Sequence, residues 1–166
     1  LNKTDYIKYI YLDIDGVLAT TQQFYSKKRH PEWNCYRFDK KCVDVLNEIL
    51  EKTNAFIILS SDWKYHYDLE TMNKIFEWNG IIRPIKEFTP SLWGVKYMSL
   101  DELDQCRAHE ILKHVHENKN EIAAWVAIDD LNLHDLIANR NFVHTPRQNE
   151  GIKQTNIKTQ ILNRLL

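Results

Sequence analysis

Tyr9-Ile10-Tyr11-Leu12-Asp13-Ile14-Asp15-Gly16-Val17-Leu18 is the stretch that decides the reading of this chain. The β-branched and aromatic run Ile7 to Leu12 predicts a buried strand, and it breaks off into two carboxylates and a glycine turn. In an open α/β sheet, ligands sit outside the carboxyl ends of the strands. Asp13 and Asp15 are therefore expected at a binding edge. An isolated Asp-x-Asp is usually a solvated turn, but the apolar run before it and Gly16 after it weigh against that here.

Two other apolar runs stop in polar residues. Ala55 to Leu59 ends at Ser60-Ser61, and Ala123 to Ile128 ends at Asp129-Asp130. Helices are expected between them. One runs from an Asp39 cap to about Lys52, with Val43, Leu46 and Leu50 on one face. Another spans about His66 to Trp78 and stops at Asn79-Gly80. Ser99-x-x-Glu102 resembles a capping box, and a helix is expected from there or from Gln105 to about Asn118. Leu131 to Ala138 reads as a short helix, Asn141 to His144 as a last short strand, and Asn156 onward as an amphipathic helix. Ile81 to Gly94 is interrupted by Pro84 and Pro90 and yields no element. The alternation implies a mainly parallel sheet with helices on both faces. Asp13, Ser60 and Asp129 then converge at one edge.

The 166 residues suit one compact domain, 1–166, with a small insertion at about 19–37. A formal charge of -1 provides no global field for nucleic acid, which leaves only local patches to consider. No apolar run is long enough to span a bilayer, and no secretory signal pattern opens the chain. It begins at Leu1 rather than methionine, as expected of a piece of a longer polypeptide. Cys35, Cys42 and Cys106 are odd in number and lack C-x-x-C spacing, so inert thiols in a reducing cytoplasm are expected.

Convergent carboxylates, serines and a cation suit phosphoryl transfer, which needs a nucleophile, a proton donor and positive charge around the phosphoryl oxygens. Asp13 can attack phosphorus and touch a metal. Asp15 can act as general acid and then general base, and its main-chain carbonyl can ligate a metal. Ser60 or Ser61 can donate to a phosphoryl oxygen. Asp129 and Asp130 can complete a site for Mg²⁺, a hard cation that takes oxygen ligands.

In order, D-x-D-G-V-L, the strand ending in Ser60-Ser61, a basic residue and Ile128-Asp129-Asp130 resemble the haloacid dehalogenase-like (HAD) phosphohydrolase superfamily. More narrowly, Ser60-Ser61-Asp62-Trp63-Lys64, Arg107-x-x-Glu110-Ile111, Phe142-Val143-His144-Thr145 and Gly151 resemble the capless HAD domain grouped with RNA-repair proteins. The resemblance implies a three-layer α/β sandwich without a large cap. It makes Asp13 the nucleophile, Asp15 the acid/base, Asp130 the preferred metal ligand and Asp129 a support for the metal or the basic residue. Ser60, Ser61, Arg107 and Gly16 form the candidate phosphate-binding set, with Lys96 and Lys113 as rivals of Arg107. The implied activity is a Mg²⁺-dependent phosphomonoester hydrolase acting through an aspartyl-phosphate on a bulky or macromolecular substrate. A nucleic-acid 3′-phosphatase in RNA repair and a non-catalytic phosphate- or metal-binding module are the alternatives. About 45 residues separate the first motif from the second, and a similar number the second from Arg107, too few for a large cap beside ordinary helices and connections.

Simpler roles compete for several residues. Asp129-Asp130 can cap the helix expected at Leu131. Glu110 can pair with Arg107 or stand exposed, and Asp135 is expected on the surface. Trp63 and Trp93 suit core or rim packing, and the seven histidines suit structural or exposed places. Lys27-Lys28-Arg29-His30, among Phe24, Tyr25, Trp33 and Tyr36, suits either a single-stranded nucleic-acid surface or a solvated flap.

Overall fold

The chain is described by a computed structural model over residues 6–166. Residues 1–5, and with them the expectation about how the chain begins, lie outside the described residues.

Five strands form one sheet: β1 (Ile7–Leu12), β2 (Phe56–Leu59), β3 (Ile85–Phe88), β4 (Ile122–Asp129) and β5 (Phe142–His144). Their order is β3-β2-β1-β4-β5, and every pairing is parallel. β1 lies at the centre, and Tyr9 through Leu12 are fully buried. A strand covered on both faces reads as a continuous apolar run, as this one does.

The helices are α1 (Thr21–Phe24), α2 (Lys40–Thr53), α3 (Leu69–Trp78), α4 (Leu103–Glu117) and α5 (Ile157–Leu165). Ile10 and Leu12 pack with residues of α2, α3 and α5 on one face of the sheet. Tyr9 and Tyr11 pack with Ala108 and Ile111 of α4 on the other. The result is the expected three-layer α/β sandwich. Asp39 caps α2 by accepting from the Cys42 N–H at 3.0 Å, and Asn54 ends it in the left-handed region at φ 55°. Both are ordinary terminator chemistry. Between β1 and α2 the only helix is the four-residue α1.

Three expectations need correcting. Ile85–Phe88, given no element in the sequence, is edge strand β3. Pro84 lies just ahead of it, a position at which proline costs no ladder hydrogen bond. Leu131 to Ala138 forms turns rather than a helix. The Asn132 side chain takes the His134 N–H and Asp129 takes the Leu131 N–H, so local side-chain bonds compete with helix formation. The helix expected from His66 starts at Leu69, because Asp68 caps it by accepting from Thr71 N at 2.8 Å.

The register sets the functional edge. Leu12 lies opposite both Leu59 and Ile128. Ladder bonds continue past the strand ends: Asp13 N–H donates to Ile128 O at 3.1 Å and Ser60 N–H to Leu12 O at 2.9 Å. Thr145 N–H likewise donates to Asp129 O at 2.9 Å. Asp13, Ser60 and Asp129 therefore lie level across the sheet.

Candidate active site

At that edge, Asp13, Asp129 and Asp130 each place one carboxylate oxygen within 4.8 Å of the others. Asp13 and Asp129 are buried, and Asp130 is partly exposed. Arg107 projects from α4 into the same space. Its Nη1 lies 2.8 Å from Asp129 Oδ2, 3.3 Å from Asp13 Oδ1 and 3.0 Å from Ser60 O. Its Nη2 reaches Asp62 at 3.0 Å. The capping box at Ser99 is present and opens a short helical turn that runs into α4. Arg107 lies in the second turn of α4 and still reaches the cluster. Lys96 is exposed with its ammonium over the Tyr97 ring, and Lys113 pairs with Glu117 on an open helix face. Neither touches the cluster.

Three carboxylates face one guanidinium that is itself shared with Asp62. Burial pushes Asp13 well above the usual carboxylate range, and the neighbouring Asp129 adds to the shift against the pull of Arg107. Asp129 is pushed up to about 6, chiefly by burial. Burial also works against the Arg107 charge, but Asp129, Asp13 and Asp62 outweigh it and hold the guanidinium protonated. Buried negative charge in excess of its counter-charge, presented entirely by oxygen donors, suits a hard divalent cation. The Ser60 hydroxyl adds a second sign of an incomplete site, since it is buried without a hydrogen-bond partner.

Gly16 makes the close approach possible. Its φ is +77°, and a Cβ there would meet the Asp130 side chain at 2.6 Å. Its N–H donates to Ala19 O at 2.8 Å and its carbonyl accepts from Thr145 Oγ1 at 3.0 Å. Both main-chain groups are thus already paired within the chain. Gln148 donates to Asp130 Oδ2 at 2.6 Å, and His144 Nε2 lies 2.8 Å from Asp130 O.

Asp15 stands apart from the three-carboxylate cluster. Trp63 Nε1–H donates to its Oδ2 at 3.0 Å, and the Tyr36 hydroxyl donates to its Oδ1. Burial and Asp15 raise the Tyr36 phenol far above its ordinary range, so it remains a donor. The two serines differ in surroundings. Ser61 offsets part of the upward shift at Asp13 and accepts from Trp63 N, whereas Ser60 is the orphan.

Glu110 neither pairs with Arg107 nor stands exposed. It is buried against Lys64 at 2.6 Å. Asp135 is exposed, as expected. Asp129 takes the Leu131 N–H at 3.0 Å, so it caps a turn as well as facing Arg107. The sequence offers no site role for Asp62 or Gln148, and places Tyr36 only in the aromatic flap. Asp62 lies inside the Ser60-to-Lys64 motif, while nothing local ties Tyr36 to Asp15 or marks Gln148.

A cavity of about 260 Å³ opens over this edge, lined by Asp15, Gly16, Phe24, Tyr25, Asp130 and Gln148 among others. No helix among the described residues is long and apolar enough to cross a membrane. The arrangement is a carboxylate cluster able to coordinate a divalent cation and consistent with phosphoryl-transfer chemistry.

No curated protein and no solved structure matches the chain. Residues 9–157 match the family described as the HAD domain in Swiss Army Knife RNA repair proteins. That span runs from within the central strand to the first residue of α5 and includes every residue of the acidic edge, so the chain belongs to that HAD family.

Proposed function

We propose that this domain is a Mg²⁺-dependent phosphatase that removes a terminal 3′-phosphate from RNA through an aspartyl-phosphate on Asp13. The observation that carries the reading is the meeting of Asp13, Asp129, Asp130 and Arg107 at the ends of β1 and β4, in a chain of an RNA-repair family.

An Asp13 carboxylate oxygen attacks phosphorus as the ester P–O bond breaks, and Asp15 gives its proton to the departing ribose oxygen. Water then attacks the same phosphorus, the bond to Asp13 breaks, Asp15 takes the proton and inorganic phosphate leaves. Indole is a donor only, so Asp15 Oδ2 must accept from Trp63. Tyr36 donates to Oδ1, so the two donors together orient the carboxyl that passes the proton. Arg107 steadies the nucleophile and the phosphoryl oxygens, and Ser61 and Ser60 supply hydroxyl donors. Gly16 serves the phosphate site through the space its missing side chain leaves beside Asp130. Asp13, Asp130 and the Asp15 carbonyl are the proposed Mg²⁺ ligands, with Asp129 supporting them. The ion supplies positive charge against the phosphoryl oxygens.

Residues 1–166 act as one HAD-like domain in this reading. Three free, buried cysteines support a reducing, cytoplasmic setting.

The test is phosphate release with Mg²⁺ from a 3′-phosphorylated oligoribonucleotide, its 5′-phosphorylated counterpart and a free nucleotide. Faster release from the 3′ end is expected. Equal or faster turnover of the free nucleotide would leave a general phosphomonoesterase. No turnover of any phosphomonoester by folded protein would leave a binding module.

A further inference from the structure

We propose that the insertion between β1 and α2 binds the single-stranded nucleotides next to the phosphate-bearing end, with Phe24 and Tyr25 as stacking faces and Lys28, Arg29 and Arg37 as phosphate contacts. The identity of the occupant rests on the RNA-end reading above.

A second cavity, of about 790 Å³, is lined by Tyr25, Lys28, Arg29, Arg37, Phe38 and Trp78 among others. Tyr25 also lines the cavity over Asp15 and Asp130, so the two spaces share a wall. The second cavity therefore lies next to the first, with Tyr25 between them.

The aromatics of the insertion divide into two groups. Trp33 stacks on His30 with centroids 3.9 Å apart, and Tyr36 and Phe38 pack edge-on against Trp63. These tie the insertion to the body of the domain. Phe24 and Tyr25 remain 57% and 77% exposed beside the site, although they meet edge-on at 5.5 Å and Phe24 meets Tyr36 edge-on at 6.1 Å. A flap that only needed packing would not hold its two site-side rings in water.

Charge separates in the same way. The chain as a whole is at -1, but the insertion holds Lys27, Lys28, Arg29 and Arg37 against Glu32 as its one acid. Lys27 and Lys28 are exposed and form no ion pair among the described residues. Arg29 lies over the Tyr36 ring at 5.0 Å, and Tyr36 bonds Asp15, which links the basic surface to the proposed acid/base. A basic groove with exposed aromatic side chains is the combination that binds single strands without sequence preference. An acidic phosphopeptide would satisfy the cations but leave the rings unused.

The experiment is fluorescence anisotropy of a labelled, unphosphorylated oligouridylate across a salt series, so that binding is read without turnover. Binding that weakens with salt is expected. Tyr25→Ala should weaken it about tenfold and Tyr25→Phe should restore it. Lys28→Ala should lower the slope of log affinity against log salt by about 0.7. Both side chains are exposed, and thermal melting checks that the variants fold. Equal binding by wild type and the Tyr25→Ala/Lys28→Ala double variant would overturn the proposal. Competition by a duplex or an acidic phosphopeptide as strong as by the single strand would overturn it too. If 3′-phosphate release occurs but the variants bind as wild type, the surface fails and the phosphatase stands. If binding depends on Tyr25 and Lys28 but no end is dephosphorylated, the phosphatase reading fails and the surface stands.

Discussion

Two buried charge groups lie side by side near the carboxyl edge of the sheet, and they are built differently. Lys64 and Glu110 form a one-to-one pair, each side chain 3% exposed. Glu110 also accepts from Leu92 N at 2.8 Å, and Lys64 also donates to Thr89 Oγ1 at 3.1 Å and Pro90 O at 3.2 Å. Every charge there has a partner. The Asp13–Asp129–Asp130 group sets three carboxylates against the shared Arg107 and leaves the Ser60 hydroxyl beside it without a partner. A balanced buried pair holds structure in place, whereas an unbalanced one holds free energy that a ligand of opposite charge can release. The difference separates a structural ion pair from a site without reference to sequence.

Substitution should make the two groups respond in opposite senses. Asp13→Asn is expected to reduce phosphate release by about 10³-fold or more, since the proposed nucleophile is lost. It should leave the melting temperature unchanged or raised, because a carboxylate whose pKa is raised by folding destabilises the fold once ionised. Glu110→Gln should do the reverse, with a loss of about 3–5 kcal/mol in denaturant unfolding from the stranded Lys64 and a KM close to wild type. A destabilised Asp13→Asn or an unaffected Glu110→Gln would break the distinction. Gly16→Ala comes next, at about 1–2 kcal/mol, from its left-handed φ and the contact with Asp130, together with weakened Mg²⁺ binding by calorimetry.

The pH dependence sharpens the contrast. Asp129 is raised to about 6, so its ionisation costs stability as pH rises from about 4 through 6. Mg²⁺ should therefore raise the melting temperature more at pH 7 than at pH 5, where the ion must displace a proton. Asp39 behaves in the opposite way. Burial draws it upward, but Lys153 at 2.5 Å and the Cys42 amide outweigh that and hold it below the ordinary value. Its contribution is present above about pH 4 and is lost on acidification through its lowered pKa. Asp39→Ala should cost about 1 kcal/mol near neutrality as a lost helix cap, the smallest of these effects.

The acidic edge was legible in the sequence because it depends on strand ends. Once Leu12, Leu59 and Ile128 are read as the last apolar residues of parallel strands, Asp13, Ser60 and Asp129 must come level. Arg107 was legible only through the family pattern, since nothing local distinguishes it from Lys113 on the same helix. β3 was missed because an edge strand bearing Lys86 and Glu87 lacks the apolar run of a central one. Its Lys86 meets the Tyr9 hydroxyl at 2.6 Å, a contact spanning much of the chain. Tyr36 on Asp15 and Lys64 on Glu110 are likewise tertiary, joining segments that carry no shared periodicity. The false helix at Leu131 arose from apolar spacing at Leu133 and Ile137, which turns bury equally well.

Calorimetric titration of Mg²⁺ into the wild-type chain and Asp130→Asn at neutral pH tests the acidic edge most directly. One ion per chain is expected for the wild type, with affinity reduced about tenfold or more when Asp130 loses its charge. Indistinguishable isotherms for the two proteins, or no binding to the folded wild type, would contradict it.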